Sequence, residues 1–193
     1  GRAVLFISFP TAMGATWLAP KTISAVDAIS SATVLSQIKA DTFVVNNQTL
    51  LDLFIGNKAG CIGETSILLI LISFIFLLVT KIIDWRAPLA MIFTVFICTF
   101  IAGAISASSL QVGFEKGLLS LLTGGVMFGA TFMVTDYATT PVTKPGRLIF
   151  GFGCGLITFL IRQFGGYPEG VMFSILIMNS IAPFLNNLTV RMY

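Results

Sequence analysis

Six long apolar stretches of this chain contain no charged residue: 3–20, 65–80, 87–114, 117–135, 148–161 and 170–190. A helix rises 1.5 Å per residue, so about 20 apolar residues cross the ~30 Å hydrocarbon layer of a bilayer. Most of the stretches approach that length, and the coarse reading is six crossings. The expected fold class is therefore an all-α integral membrane protein, a polytopic helical bundle with short or broken helices. Composition agrees, since 11 Lys and Arg and 8 Asp and Glu among 193 residues fall far below the roughly one quarter of charged residues in soluble domains. A water-soluble single domain is excluded. The stretch 148–161 has only 14 residues, about 21 Å of helix, so Arg147 and Arg162 are expected to snorkel outward or to border a thinned bilayer. Gly1-Arg2 stands directly before an apolar stretch, with no initiator Met and no signal-peptide pattern. The chain reads as the C-terminal part of a longer protein and as one membrane domain over 1–193.

Several chemistries are removed at this level. The formal charge of +3 is carried between apolar stretches, so the cations read as interfacial anchors and no nucleic-acid partner is expected. The chain has no His, which takes away the usual haem and zinc ligand. Cys61, Cys98 and Cys154 are widely spaced; they read as apolar fillers, with room for a ligand shared with another subunit. No resident metal and no catalytic side chain are expected in this chain.

The one long polar segment is 21–64, and it reads as mainly extramembrane. If its neighbours cross, Arg2, Lys81, Arg86, Lys144, Arg147 and Arg191 share the opposite face, six cations against the five at Lys21, Lys39, Lys58, Lys116 and Arg162. The positive-inside rule then puts the polar segment outside the cytoplasm. Gly125 and Gly129, and Gly151 and Gly155, stand four apart, the spacing that lets helix backbones approach each other or a neighbour. Between 131 and 147, Thr135, Asp136, Thr139, Thr140 and Thr143 surround Pro141 and Pro145. This cluster is a turn or the lining of a flavin or cation pocket, with Asp136 as its charge and Thr135 and Thr139 beside it in a candidate ion pathway. Glu64 and Glu169 read as helix-end acids.

Within the polar segment, Asp27-Ala28-Ile29-Ser30-Ser31-Ala32-Thr33 can cap a helix that runs on through Val34, Leu35 and Ile38 to Lys39. A sharper reading comes from several blocks in fixed order: Gly1-Arg2-Ala3 with Ile7-Ser8-Phe9-Pro10, the DAISSAT run, NKAGCIGETS at 57–66, DWRAP at 84–88, GGVMFGATFMVTDYATTPVTKPGRLIFG at 124–151 and IRQFGGYPEGVMFSILIMNSIAPFLN at 161–186. Together these resemble the RnfD/NqrB family of membrane subunits, shared by the Rnf complex and the sodium-pumping NADH:quinone reductase. The C-terminal blocks look more like the Rnf member.

That resemblance implies a bundle related to urea and ammonium channels. It also implies a share in a prokaryotic cell-membrane complex that couples ferredoxin:NAD+ oxidoreduction to Na+ or H+ translocation. In the family, a threonine closing an S/T-G-A-T motif carries FMN through a phosphoester made by a flavin transferase. Here the motif is Ser30-Ser31-Ala32-Thr33, with Ser31 where the pattern has Gly. Thr33 is the expected attachment point, flanked by Asp27, Ser30, Ser31 and Ala32, and a second, noncovalent flavin is compatible with the family. Gly14-Ala15-Thr16 and Gly129-Ala130-Thr131 also spell GAT, but both lie in apolar stretches that a soluble transferase hardly reaches. The expected partners are the other subunits of an Rnf-type complex, the transferase and membrane lipid. A quinone-reductase type of subunit, a non-redox channel or transporter on the same bundle, and a structural scaffold are the competing readings.

Overall fold

A computed structural model of the chain describes residues 8, 16–18, 30–32, 47–58, 63–165 and 170–190. Two strands of three residues, β1 (Thr16–Leu18) and β2 (Ser30–Ala32), pair antiparallel with Trp17 opposite Ser31. The rest is helical: α1 (Asn47–Ile55), α2 (Ile67–Val79), α3 (Arg86–Ala107), α4 (Leu110–Leu122), α5 (Val126–Met133), α6 (Lys144–Phe164) and α7 (Val171–Val190). The second half of α5, Gly129–Met133, is a π turn.

Among the described residues α3, α6 and α7 are each long and apolar enough to cross a membrane, and α4 with α5, bent by 62° at the break between them, makes a fourth span if taken as one. Of the six crossings expected from charge-free stretches, the described residues show three or four. The stretch 3–20 lies largely outside the described residues, and its Thr16–Leu18 are extended, not helical. α2 has 13 residues, about 20 Å, and falls short of a full crossing.

Two boundaries differ from the charge-based reading for a physical reason. The stretches 87–114 and 117–135 are separated only by Glu115 and Lys116, yet both residues lie inside α4. The chain reverses earlier, at Ser108, whose φ of 50° is left-handed and stops α3. Likewise α6 is 21 residues long. The Thr143 hydroxyl accepts a hydrogen bond from the Gly146 amide at 3.2 Å, and Pro145 sits in the first turn, where no donor is needed. Arg147 and Arg162 thus lie inside the helix and do not bound it. Arg147 donates to the Pro141 carbonyl at 2.9 Å and Arg162 to the Ser120 carbonyl at 2.7 Å.

α3 is held between α4 and α6 by glycines. A Cβ added at Gly113 would lie 2.8 Å from the Phe100 carbonyl oxygen, and one at Gly155 would lie 2.8 Å from the Met91 carbonyl oxygen. Gly151 faces the Ala87 carbonyl in the same way. Three of the four glycines paired in the sequence mark close packing, onto neighbours: Gly151 and Gly155 onto α3, and Gly129 onto Val171 of α7. Met91, Val95, Val126, Ala130, Val134, Phe150 and Cys154 fill the interior, with Ile175 and Met178 of α7. α7 is tied to α6 by two hydroxyl pairs, Thr143 with Thr189 at 2.5 Å and Thr158 with Ser174 at 2.8 Å. The outer faces expose Ile72, Phe76, Phe93, Phe152 and Phe184, large apolar groups suited to contact with lipid or with further helices. The molecule is a helical membrane protein.

Replacing Gly155 by Val forces α6 away from α3. The expected cost is about 1–3 kcal/mol of overpacking, read as a lower melting midpoint in detergent, while Ile72→Val on the exposed face of α2 leaves the midpoint unchanged.

Candidate functional site

The segment expected from the sequence to carry a flavin is described in part. Ser30, Ser31 and Ala32 form β2, and its register sets Thr16 against Ala32, so two of the GAT-like motifs meet in one ladder. Asp27 and Thr33 lie outside the described residues, as do Cys61 and Glu169. The third GAT, at Gly129–Thr131, lies in the π turn, where Thr131 is buried.

The Thr and Pro cluster is an ordered turn. The Asp136 carboxylate is exposed and accepts from the Thr139 hydroxyl at 3.0 Å, while its backbone carbonyl accepts from the Thr140 hydroxyl at 2.6 Å. Thr135 donates to the Thr131 carbonyl one turn back at 2.6 Å. Asp136, Thr135 and Thr139 are thus brought together, with most of their polar groups spent on the turn itself. Asn186 of α7 adds an anchor, its side-chain oxygen accepting from the Val142 amide at 3.0 Å. The break in a spanning element falls elsewhere, between α4 and α5.

Sequence reasoning passes over Asp84, the charged centre of this end of the bundle. It sits between α2 and α3, and its carboxylate accepts from the Arg86 amide at 3.1 Å, from Arg86 Nη1 at 2.8 Å and from Arg147 Nη1 at 2.7 Å. Partial burial pushes its carboxyl up, but the Arg86 amide and the two guanidiniums outweigh burial and hold it below the ordinary 3.8. Its ionised form is favoured at every physiological pH. Asp84, Lys81, Arg86, Thr135, Thr140 and Arg147 line a cavity of about 830 Å³. The only local clue is an acid two residues before a helix-starting Arg; the Arg147 partner is 63 residues away.

At the α4 break, cations meet carbonyls. A helix C-terminus leaves up to four carbonyls unpaired and carries a partial negative charge. Lys58 donates to the Leu122 carbonyl at 2.5 Å, and Arg162 reaches those of Ser120 and Thr123. Thr123 also returns its hydroxyl to Leu119 at 2.5 Å. Glu64 is buried just before α2, 8% exposed. Burial pushes the Lys58 amine down to about 8, with the Glu64 charge opposing that shift. These residues belong to no site expected from the sequence, because Lys58 is a single cation in a polar loop and its carbonyl partner carries no residue signature.

A base whose folded-state value lies below its unfolded one binds fewer protons when folded, so stability rises with pH between the two values, here about 8 and 10.5. Thermal melts of wild type and Lys58→Met from pH 7 to 10 should diverge in wild type's favour above pH 8, by roughly 1–2 kcal/mol after discounting for solvent screening. Parallel curves would remove Lys58 from the carbonyl end of α4.

Comparison with known proteins places the chain. All of it, residues 1–193, matches the NQR2, RnfD, RnfE family. It is 42% identical to the D-type subunit of the Na(+)-translocating ferredoxin:NAD(+) oxidoreductase complex of Acetobacterium woodii, over 97% of this chain and 55% of that protein. It is 39% identical to the D-type subunit of the proton-translocating ferredoxin:NAD(+) oxidoreductase complex of Clostridium ljungdahlii, over 98% and 57%. With the B-type subunit of the Na(+)-translocating NADH-quinone reductase of Pseudomonas paraeruginosa it shares 34% identity over 99% and 47%. The chain spans about half the length of these curated relatives. With a match along every residue, on a structure that is helical and membrane-spanning, this chain belongs to the NQR2, RnfD, RnfE family.

Proposed function

We propose that this chain is the flavin-carrying part of a membrane subunit in a redox complex that couples ferredoxin:NAD+ oxidoreduction to Na+ or H+ translocation. The observation that carries the reading is the likeness to the D-type relatives over nearly the whole chain, at 42% and 39% identity. The quinone-reductase relative is more distant, at 34%, which favours the ferredoxin-linked type. The partners are the remaining subunits of that complex, in a prokaryotic cell membrane.

Covalent FMN on Thr33 is the cofactor of this proposal, attached by a flavin transferase on the non-cytoplasmic side. The residues fit such a group in their chemistry. A threonine hydroxyl is what a phosphoester needs, and it directly follows a strand of small residues, Ser30–Ala32, held extended by β1. When bound, the flavin supplies one- and two-electron transfer. The chain's share is placement: β1 pairs with the strand that directly precedes the attachment residue. Asp136, with Thr135 and Thr139, is proposed as a polar element of the ion path at the opposite end of the sequence.

Two measurements test these assignments. Expressed with its transferase, the chain should keep yellow fluorescence in a denaturing gel, lost in Thr33→Val and kept in Thr16→Val; the reverse pattern would move the site to the facing strand. In inverted vesicles holding the assembled complex, Asp136→Asn should lower ion uptake per NAD+ reduced while flavin attachment stays intact. An unchanged ratio leaves Asp136 as a turn residue only.

A further inference from the structure

Two hollows adjoin at the end of the bundle where α3 and α6 begin. One is the cavity of about 830 Å³ around Asp84. The other is a groove of about 540 Å³ on the outer side of α3, reaching Leu121 of α4 and Leu148 of α6. Trp85, Arg86 and Leu89 border both. We propose that the two hollows form one binding site for an anionic phospholipid, with the phosphate between Lys81, Arg86 and Arg147 and an acyl chain in the groove.

Charge is the first argument. Lys81, Arg86 and Arg147 against Asp84 leave two net positive charges around the cavity. Asp84 takes one Nη1 bond from each guanidinium, and Arg147 Nε goes to the Pro141 carbonyl. A guanidinium carries five N–H donors, more than these bonds consume, and its fork matches a phosphate. Asp84 thereby fixes two guanidiniums side by side without neutralising the pair. Lys81 is exposed and ends α2 in a left-handed turn, φ 57°, on the cavity's rim.

Depth is the second. The α3 residues of the groove run from Arg86 to Phe96, and ten residues of helix rise about 15 Å, half of the ~30 Å hydrocarbon layer. The groove is as long as one leaflet is deep, and Leu89, Phe93 and Phe96 give it apolar walls. The third argument is the mouth. Trp85 is 51% exposed and Tyr137 is 95% exposed, the amphipathic rings that settle at headgroup level. The Arg86 guanidinium lies 5.3 Å from the centre of the Trp85 ring, a cation–π contact that holds the cation at that level. A soluble anion would match the cavity alone, whereas a lipid matches both hollows and their order along α3.

The test uses the full-length protein in its complex, extracted in mild detergent and equilibrated with long-chain phosphatidylglycerol or phosphatidylcholine, with bound lipid counted by native mass spectrometry. Phosphatidylglycerol should be retained over phosphatidylcholine. Lys81→Gln should weaken that retention about fivefold, the ~1 kcal/mol that one cation contributes at an anionic headgroup. Leu89→Trp, at a residue 43% exposed, fills the groove from its open side and should expel the long-chain lipid, with an unchanged melting midpoint in lipid-free detergent and loss of the stabilisation that added phosphatidylglycerol gives the wild type. Equal retention of the two lipids overturns the proposal, as does phosphatidylglycerol binding that neither variant alters. Displacement of the lipid by an equal concentration of inorganic phosphate also overturns it, because the groove would then contribute nothing.

Discussion

Close approach of helix backbones is the constraint on which this bundle rests. In lipid, burying apolar side chains between helices gains little, so association depends on van der Waals fit and on polar groups finding partners. α3 meets that condition on two sides. Gly113 of α4 reaches the Phe100 carbonyl on one, and Gly151 and Gly155 of α6 reach the Ala87 and Met91 carbonyls on the other. Everything charged at the Asp84 end depends on this clamp, because α6 can offer Arg147 to Asp84 only while the first turns of α3 and α6 lie side by side.

Polar groups inside the bundle follow one economy. Thr94, Thr99, Thr158 and Thr189 each return a hydroxyl to the carbonyl four residues back, so a hydroxyl on a spanning helix meets its need locally. Where the ladder stops, at the end of α4, side chains from distant parts of the sequence take over, and both donors are cations. The broken element is thus stabilised by charge set against helix-end carbonyls.

Much of this is legible in the sequence, and the failures have a common cause. Apolar stretches announce helices, and the small-residue spacing at 151 and 155 announces a close contact, because both signals are periodic and local. Helix ends are misread where charge serves as the ruler. Glu115 and Lys116 look like an interfacial loop, but Ser108 adopts the left-handed turn and the helix after it carries the pair. Arg147 and Arg162 look like the limits of a short span, but each finds carbonyl partners and the helix continues past it. The candidate site is legible only as residue types. The sequence can group Asp136 with its neighbouring threonines, since that turn is local. It cannot join Asp84 to Arg147 or Lys58 to the end of α4, because those contacts exist only once the helices have packed.

The two hydroxyl pairs between α6 and α7 have a kinematic consequence. Thr143 and Thr158 are fifteen residues apart on one helix, and Ser174 and Thr189 are fifteen apart on the other. With equal intervals on antiparallel rods, both bonds are satisfied at a single axial offset. A slide of one helical turn, about 5.4 Å, breaks the two together. Piston motion of α7 against α6 is therefore opposed by both bonds at once, whereas bending at Pro183 within α7 leaves the two pairs their common offset.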